Sequence, residues 1–319
     1  MNTKTLLLIL MVLTFVSCSF SGCLHSSVQE SKHINKLYGW SRTGLSPDAI
    51  AAAGEPIVIS SIEQLQKIGN DPAYPIKGYY VLKNDIDASQ TAQWNLGAGF
   101  MPIGKMNDKK DWNGFSGWFD GQGHVIRGLT IKRPDESGVG LFASLTPTAI
   151  VVNLGFDAGY FHGYDYVGSL AGESNSNAVA ACFTTSLVKG RSRVGGLIGI
   201  NRGVVEASYS IATVSGADRT GGLVGRNWKG VISESYAAGS VSGQDSTLTG
   251  GLVGQNDSAV VRNSFWVSDL TEQDNSAGGT GLTSDKMKAR APFDEAGWDF
   301  TGMWTLIPGR SLPRFQFQN

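Results

Sequence analysis

Gly195-Gly196-Leu197-Ile198-Gly199, Gly221-Gly222-Leu223-Val224-Gly225 and Gly250-Gly251-Leu252-Val253-Gly254 write one pattern three times. Weaker copies stand at Val167-Gly168-Ser169-Leu170-Ala171-Gly172 and Val139-Gly140-Leu141-Phe142-Ala143. The leucines Leu141, Leu170, Leu197, Leu223 and Leu252 are 29, 27, 26 and 29 residues apart. A period of this length marks a solenoid, whose units are each too small to bury an apolar face and must stack to make a core. Function is then to be sought on an elongated surface.

The segments after each leucine also match. Phe183, Tyr209, Tyr236 and Phe265 follow their leucines by 13, 12, 13 and 13 residues, each preceded by a small residue: Cys182, Ser208, Ser235 and Ser264. Such a register predicts parallel strands in successive coils, about 4.7–4.9 Å apart, with equivalent side chains in ladders. Asn201, Asn227 and Asn256, each four residues after its leucine, form a third ladder at a turn, where side-chain amides satisfy the backbone and one another. Two or three glycines per unit would each cost about 1 kcal/mol in a helix interior, and the Val, Ile, Thr, Ser and Tyr content favours strand. A unit of this length fits one coil of three short strands and three turns. The expected fold is all-β, a right-handed parallel β-helix.

Gly196-Leu197-Ile198-Gly199, Gly222-Leu223-Val224-Gly225 and Gly251-Leu252-Val253-Gly254 resemble the motif of the GLUG-motif repeat proteins. The block from Phe115-Ser116-Gly117-Trp118-Phe119-Asp120-Gly121 to Gly128-Leu129-Thr130-Ile131 is similar to one that precedes the repeats in that family. Gly279-Thr280-Gly281-Leu282-Thr283 through Met287, with Gly297-Trp298-Asp299-Phe300, Trp304 and Pro313, is similar to one that follows them. The resemblance covers roughly residues 57–317 and implies a bacterial or archaeal cell-surface protein whose repeats are adhesive or structural. Some such proteins carry immunoglobulin A-specific metallopeptidases; as a marker of activity the resemblance is weak.

The first residues agree with export. Lys4 and the apolar run Leu6–Val16 form a basic n-region and an h-region too short for a spanning helix of about 20 residues. Two lipobox-like sites follow, Phe15-Val16-Ser17-Cys18 and Phe20-Ser21-Gly22-Cys23. Cys23 has the better small residues before it; Cys18 is the alternative, and a soluble secreted chain is the competing reading. With lipid on Cys23 only Cys182 is left in the mature chain, so no disulfide forms even in an oxidising compartment. Cys182 occupies the ladder position of Ser208, Ser235 and Ser264, which reads as core. Removal of Lys4 leaves 25 basic against 27 acidic residues, so no field for nucleic acid is expected. The 42 glycines in 319 residues, roughly twice the usual share, suit a turn-rich coil.

Five segments are expected: a lipoprotein-type signal peptide (1–22), a polar tether (23–54) with an ordered patch at Tyr38 and Trp40, an N-terminal cap with the first coils (55–138), the repeat coils (139–268) and a C-terminal cap (269–319). Ser60-Ser61-Ile62-Glu63 reads as a capping box opening a short helix with Ile62, Leu65 and Ile68 on one face. Tyr79–Leu82 and Val125–Ile131 read as early strands, giving about seven or eight coils. Trp298, Phe300, Trp304, Phe315 and Phe317 supply an aromatic-rich cap that closes the other end.

Chemistry is sparse. The histidines His25, His33, His124 and His162 are dispersed, and H-E-x-x-H, G-x-S-x-G and the phosphate-loop pattern are absent. Gly278–Thr283 lacks the Asp of a calcium nonapeptide, and the EF-hand-like stretch from Lys109 places a lysine at its first ligand position. No metal, cofactor or catalytic residue is therefore assigned. Asp85, Asp87 and Asp120 are the carboxylates a polysaccharide lyase or hydrolase would use, but the repeats show no ladder of Asp, Arg or Lys, and Asp120 in Phe119-Asp120-Gly121 suits a turn. The stronger signal is Tyr160-Phe161-His162-Gly163-Tyr164-Asp165-Tyr166, with Trp94, Trp112 and Trp228 in other turns. Tyr160, Phe161, Tyr164 and Tyr166 are the candidate ligand-binding residues, able to stack on a glycan or anchor a surface protein of a host or neighbouring cell; the competing reading packs these rings on the coil edge. The function expected is non-catalytic adhesion or binding at the cell surface or outside the cell, with membrane attachment through the lipid. The alternatives are a carbohydrate-active enzyme and a purely structural surface protein.

Overall fold

The computed structural model describes residues 54–104 and 113–318. The signal peptide, Cys18, Cys23, almost all of the tether, His25, His33, Trp112 and most of the EF-hand-like stretch lie outside those residues. Among the described residues no helix is long and apolar enough to cross a membrane.

The chain is a parallel β-solenoid. One coil consists of the strands Ser192–Gly195, Ile198–Asn201, Val204–Glu206, Tyr209–Ser210 and Thr213–Gly216. Each pairs in parallel with its counterpart in the next coil: Asp218–Gly221, Val224–Trp228, Val231–Ser233, Tyr236–Ala237 and Val241–Gly243. Repetition of this coil makes five sheets along the axis, two of eight strands, two of five and one of four. The eight-stranded sheets match the expected seven or eight coils. The expected three strands per coil are instead five. Additional corners arise at residues with left-handed backbone: Asn153, Ala181, Ala207, Glu234 and Asn263 occupy one corner in successive coils, and Tyr166, Arg193 and Arg219 another. This conformation costs a non-glycine residue roughly 1–2 kcal/mol, and the ladders on either side hold it in place.

The ladders lie as the spacing predicts. Leu141, Leu170, Leu197, Leu223 and Leu252 are fully buried, and the N–H of Leu197 donates to Leu223 O at 3.0 Å, that of Leu223 to Leu252 O at 2.9 Å. Asn201 Nδ2 donates to Asn227 Oδ1 and Asn227 Nδ2 to Asn256 Oδ1, both at 2.9 Å. A serine column runs beside them: the N–H of Cys182, Ser208 and Ser235 donates to the Oγ of Ser208, Ser235 and Ser264 at 3.2, 3.1 and 3.2 Å. Cys182 is buried at the head of this column, and burial pushes its thiol up to about 12, as fits a core residue rather than a nucleophile.

The last glycine of each repeat is explained by close approach. A Cβ on Gly225 would stand 2.5 Å from the Arg193 carbonyl carbon, and one on Gly254 would stand 2.7 Å from that of Arg219. Two strands of neighbouring coils thus touch backbone to backbone at that corner.

Both ends are closed. The helix Ile62–Lys67 buries Ile62 and Leu65, with Ile68 buried just beyond it. Its reciprocal cap is Ser61 with Gln64 rather than the Glu63 of the expected box: Ser61 Oγ accepts from Gln64 N, and Gln64 Oε1 accepts from Ser60 N at 2.7 Å. The early stretch 125–131 is divided at Gly128 (φ +68°) into strands Val125–Arg127 and Thr130–Lys132. At the far end Thr280–Leu282 adds a last rung to Phe265–Val267, and Trp266 fills the interior there. The aromatic tail, expected to close that end, instead turns back along the outside of the coils. Phe183, Tyr209, Tyr236 and Phe265 point outward, and Phe293, Trp298, Trp304 and Phe315 cover them in a second apolar cluster. Phe183, Tyr209 and Tyr236 stack at 5.1 and 5.0 Å, close to the strand spacing of a sheet. Tyr236 Oη donates to Pro313 O at 2.6 Å, and Trp298 Nε1 to Asn263 O at 2.8 Å.

Candidate functional site

Tyr160–His162 is a central strand between Thr130–Lys132 and Leu187–Lys189. Side chains alternate across a strand, so Phe161 points into the solenoid, fully buried and edge-on to Phe156 at 5.9 Å. Its expected role in binding is therefore corrected: it is a core residue. Tyr160 stays outside, half-buried, with its hydroxyl 3.3 Å from His162 Nδ1. Burial, with Lys189 and Lys132 nearby, lowers the pKa of His162. Tyr164 is 42% exposed, with the Arg191 guanidinium 4.2 Å from its ring centroid. Tyr166, at the left-handed corner, carries Arg193 at 5.0 Å.

Arg193 is not isolated. Ser192 pairs with Asp218 and Val194 with Thr220, so Arg193 and Arg219 occupy one position in adjacent coils, with Tyr166 in the coil before. The expectation that no ladder of Arg exists is thereby corrected. The signal was in the chain: Tyr166, Arg193 and Arg219 each stand four residues before a repeat leucine. Two copies of arginine were too few to register as a repeat. Beside this column runs a second, in which Glu173, Ile200, Arg226 and Gln255 are successive partners. The columns join where Arg219 Nε donates to Gln255 Oε1 at 2.5 Å. At the end of the second strand Trp228 has three cations over its ring: Arg202 at 4.7 Å, Arg226 at 5.1 Å and Lys229 at 5.7 Å.

Carboxylates rim this face. Asp165 takes Arg191 bidentately, at 3.0 Å from Nε and 2.8 Å from NH2, and lies 3.9 Å from Arg193. Asp257 accepts from Arg226 Nε at 2.7 Å, Glu173 pairs with Arg202, and Asp218 with Arg219. Six cations thus meet four carboxylates, and a fifth, Asp245, is near enough to Arg219 to feel its charge, giving a local excess of about one positive charge on a chain whose net charge is -1.

The three carboxylates read from the sequence serve structure. Asp120 accepts from Gln122 N at 2.8 Å in its own turn and from Asn153 Nδ2 of the next coil at 3.0 Å; burial raises its pKa and those bonds oppose the rise. Asp87 holds Ser89 N at 2.9 Å. Asp85 lies in a groove of about 520 Å³ beside Phe317, where Arg127 bridges it at 3.2 Å to Asp157 at 2.5 Å. Burial pushes the Asp85 carboxyl up, but bonds from Val125 N, His124 and Arg127 together bring it below its usual value. A group so held is ionised and has no proton to give a leaving group. Trp94, the other described turn tryptophan besides Trp228, stacks on buried Phe100 at 6.5 Å. Among the described residues no cluster of three or more His, Cys, Asp or Glu side chains could hold a metal ion.

No family model matches the chain. Over 146 residues, 45% of the chain, it is 40% identical to Halomucin from Haloquadratum walsbyi (strain DSM 16790 / HBSQ001), of which that match takes in 2%. The chain therefore spans a small fraction of that relative's length. In three dimensions it is similar to a Bacteroides ovatus chain provisionally named an immunoglobulin A1 protease. The TM-score is 0.61 at 20% identity, over 83% of this chain and 93% of that one. Likeness at that identity shows a shared fold and leaves activity to the site residues.

Proposed function

We propose that the protein is a GLUG-type repeat β-helix of the cell surface or extracellular space that binds a glycan, without turnover, on its arginine–aromatic face. The observation that carries this reading is that Tyr164 and Tyr166 on one coil and Trp228 two coils on each have guanidinium groups over their rings, those of Arg193 and Arg202 coming from the coil between. Ring faces beside polar groups stack on sugars, and rigid backing reduces what binding must order. The n-region and h-region before Cys18 and Cys23 support export and a lipid anchor, and the likeness to Halomucin supports a cell-surface or extracellular location. Mass spectrometry of the native N-terminus tests the anchor: lipid is expected on Cys23, and an unmodified terminus beyond that residue would refute it.

A glycan array read with wild type and a face variant tests the binding. Tyr164→Ser and Trp228→Ser are combined with Tyr166→Asn, because Asn tolerates the left-handed backbone there. Binding should weaken at least about tenfold with the thermal midpoint preserved. Unchanged binding by the folded variant would return these rings to a packing role.

One observation favours the enzyme reading. Glu234, at a left-handed corner and near Glu206 and Asp299, is pushed up to about 7 by burial first and by Glu206 second, as a general acid requires. Release of reducing sugar or unsaturated product by wild type, lost in Glu234→Gln, would move the assignment to a carbohydrate-active enzyme.

A further inference from the structure

We infer that the ligand of this face is an acidic polysaccharide lying along the solenoid axis, with its carboxylate or sulfate groups on the arginine columns; this rests on the binding reading above. Three features lead there. First, Arg193 and Arg219 repeat at the coil pitch, about 4.8 Å, and Arg226 stands in the adjoining column. A row of like charges along the axis fits a linear polymer with one acidic group per sugar unit better than a compact ligand with a single charge. Second, guanidinium forks take planar oxyanions bidentately, and here backing rings fix their planes: Tyr166 under Arg193, and Trp228 under Arg202 and Arg226.

Third, the face has charge to spare. Two of its carboxylate partners, Asp218 and Asp257, keep about a third of their side-chain surface in solvent, where an ion pair contributes little net stability, so ligand oxyanions can replace these two at small cost, while Asp165 and Glu173 are more deeply set. The local positive excess draws anions, while the chain as a whole lacks the basic field of a nucleic-acid binder. The floor is rigid, because Gly225 and Gly254 bring strands of adjacent coils into backbone contact directly behind Arg193 and Arg219. The columns are therefore presented by the fold itself and are not carried on a loop.

The test is a titration of the full mature chain with an oligogalacturonate long enough to span the columns, beside a neutral oligoglucan of equal length and a single-stranded DNA of equal charge. The acidic oligosaccharide should bind at least about tenfold more tightly than the neutral one and should weaken as salt is raised. Arg193→Gln with Arg219→Gln should cost at least about tenfold, and the double lysine variant should recover only part of the loss, because an ammonium lacks the fork. Thermal melts accompany each variant. Equal or tighter binding of the neutral chain, lost in the Tyr164, Tyr166 and Trp228 variant, would overturn this inference and leave the glycan face standing. Binding of the acid unaffected in a folded double glutamine variant, or matched by the DNA, would also overturn it. No binding of any glycan would refute both readings.

Discussion

Two outward columns of the same coils have opposite fates. Phe183, Tyr209, Tyr236 and Phe265 stack on the outside of one eight-stranded sheet and are covered by the returning tail, whereas Tyr166, Arg193 and Arg219 stack outside the four-stranded sheet and stay at the surface. A ladder of bare aromatic side chains multiplies exposed apolar area with every coil. It is stable only when something dry lies over it, and the segment from Phe293 to Phe315 does so. The arginine column is held by its own polar partners: Arg193 lies over the Tyr166 ring with Asp165 3.9 Å away, and Arg219 pairs with Asp218 and Gln255. Periodicity alone therefore does not distinguish scaffold from site; what lies over the column does.

The largest effects should fall on the covered side and the interior. Trp304→Ala, at the centre of the tail's contact with Tyr209, Tyr236 and Phe315, should destabilise by about 3–5 kcal/mol, and Leu223→Ala in the interior by about 2–5 kcal/mol. Denaturant unfolding measures both. A Trp304→Ala loss below about 1 kcal/mol would mean that the tail is a loose appendage. Next comes the asparagine ladder. Asn227→Ala removes a donor to Asn256 and an acceptor for Asn201 in a buried row, at an expected cost of about 1–3 kcal/mol; a neutral substitution would show that the row does no more than fill space.

A smaller, pH-dependent effect is expected at Glu234, near Asp299 of the tail. Its folded pKa, about 7, exceeds the ordinary 4.5, so the folded protein holds the extra proton between those values. By linkage, stability then falls as pH rises from about 4.5 to 7 and levels off above. Glu234→Gln should melt higher than wild type well above pH 7 and lose that advantage near pH 4. A gain of equal size at both ends would show that ionisation is not the cause. Smallest of all on stability is the arginine face, where Arg193→Gln with Arg219→Gln should shift the unfolding free energy by no more than about 0.5 kcal/mol per position.

The ladders were legible because Leu, Asn, Ser and the aromatics each recur at a nearly fixed offset, and Cys182 fell into the serine column by the same count. The five-strand coil was not legible, since its corners hold Ala181, Ala207, Glu234, Tyr166, Arg193 and Arg219 in a backbone region that only glycine or asparagine would have announced. Phe161 was misplaced for a related reason: a cluster of aromatics reads as a loop until strand alternation is imposed, which divides it into Tyr160 outside and Phe161 inside. The tail's aromatics were read as an end cap, whereas they cover the outward column of Phe183, Tyr209, Tyr236 and Phe265; which surface they cover depends on side-chain direction at Tyr209 and Tyr236, and spacing carries no such direction.

The central claim, that one column holds the fold together and the other binds, is tested most directly by measuring melting and oligogalacturonate binding in parallel on two double variants, Tyr209→Ser with Tyr236→Ser and Arg193→Gln with Arg219→Gln. The tyrosine variant should melt far lower yet bind normally at temperatures where it is folded, and the arginine variant should melt like wild type with binding weakened at least about tenfold. A tyrosine variant that is folded but does not bind, or an arginine variant that binds unchanged, would contradict it.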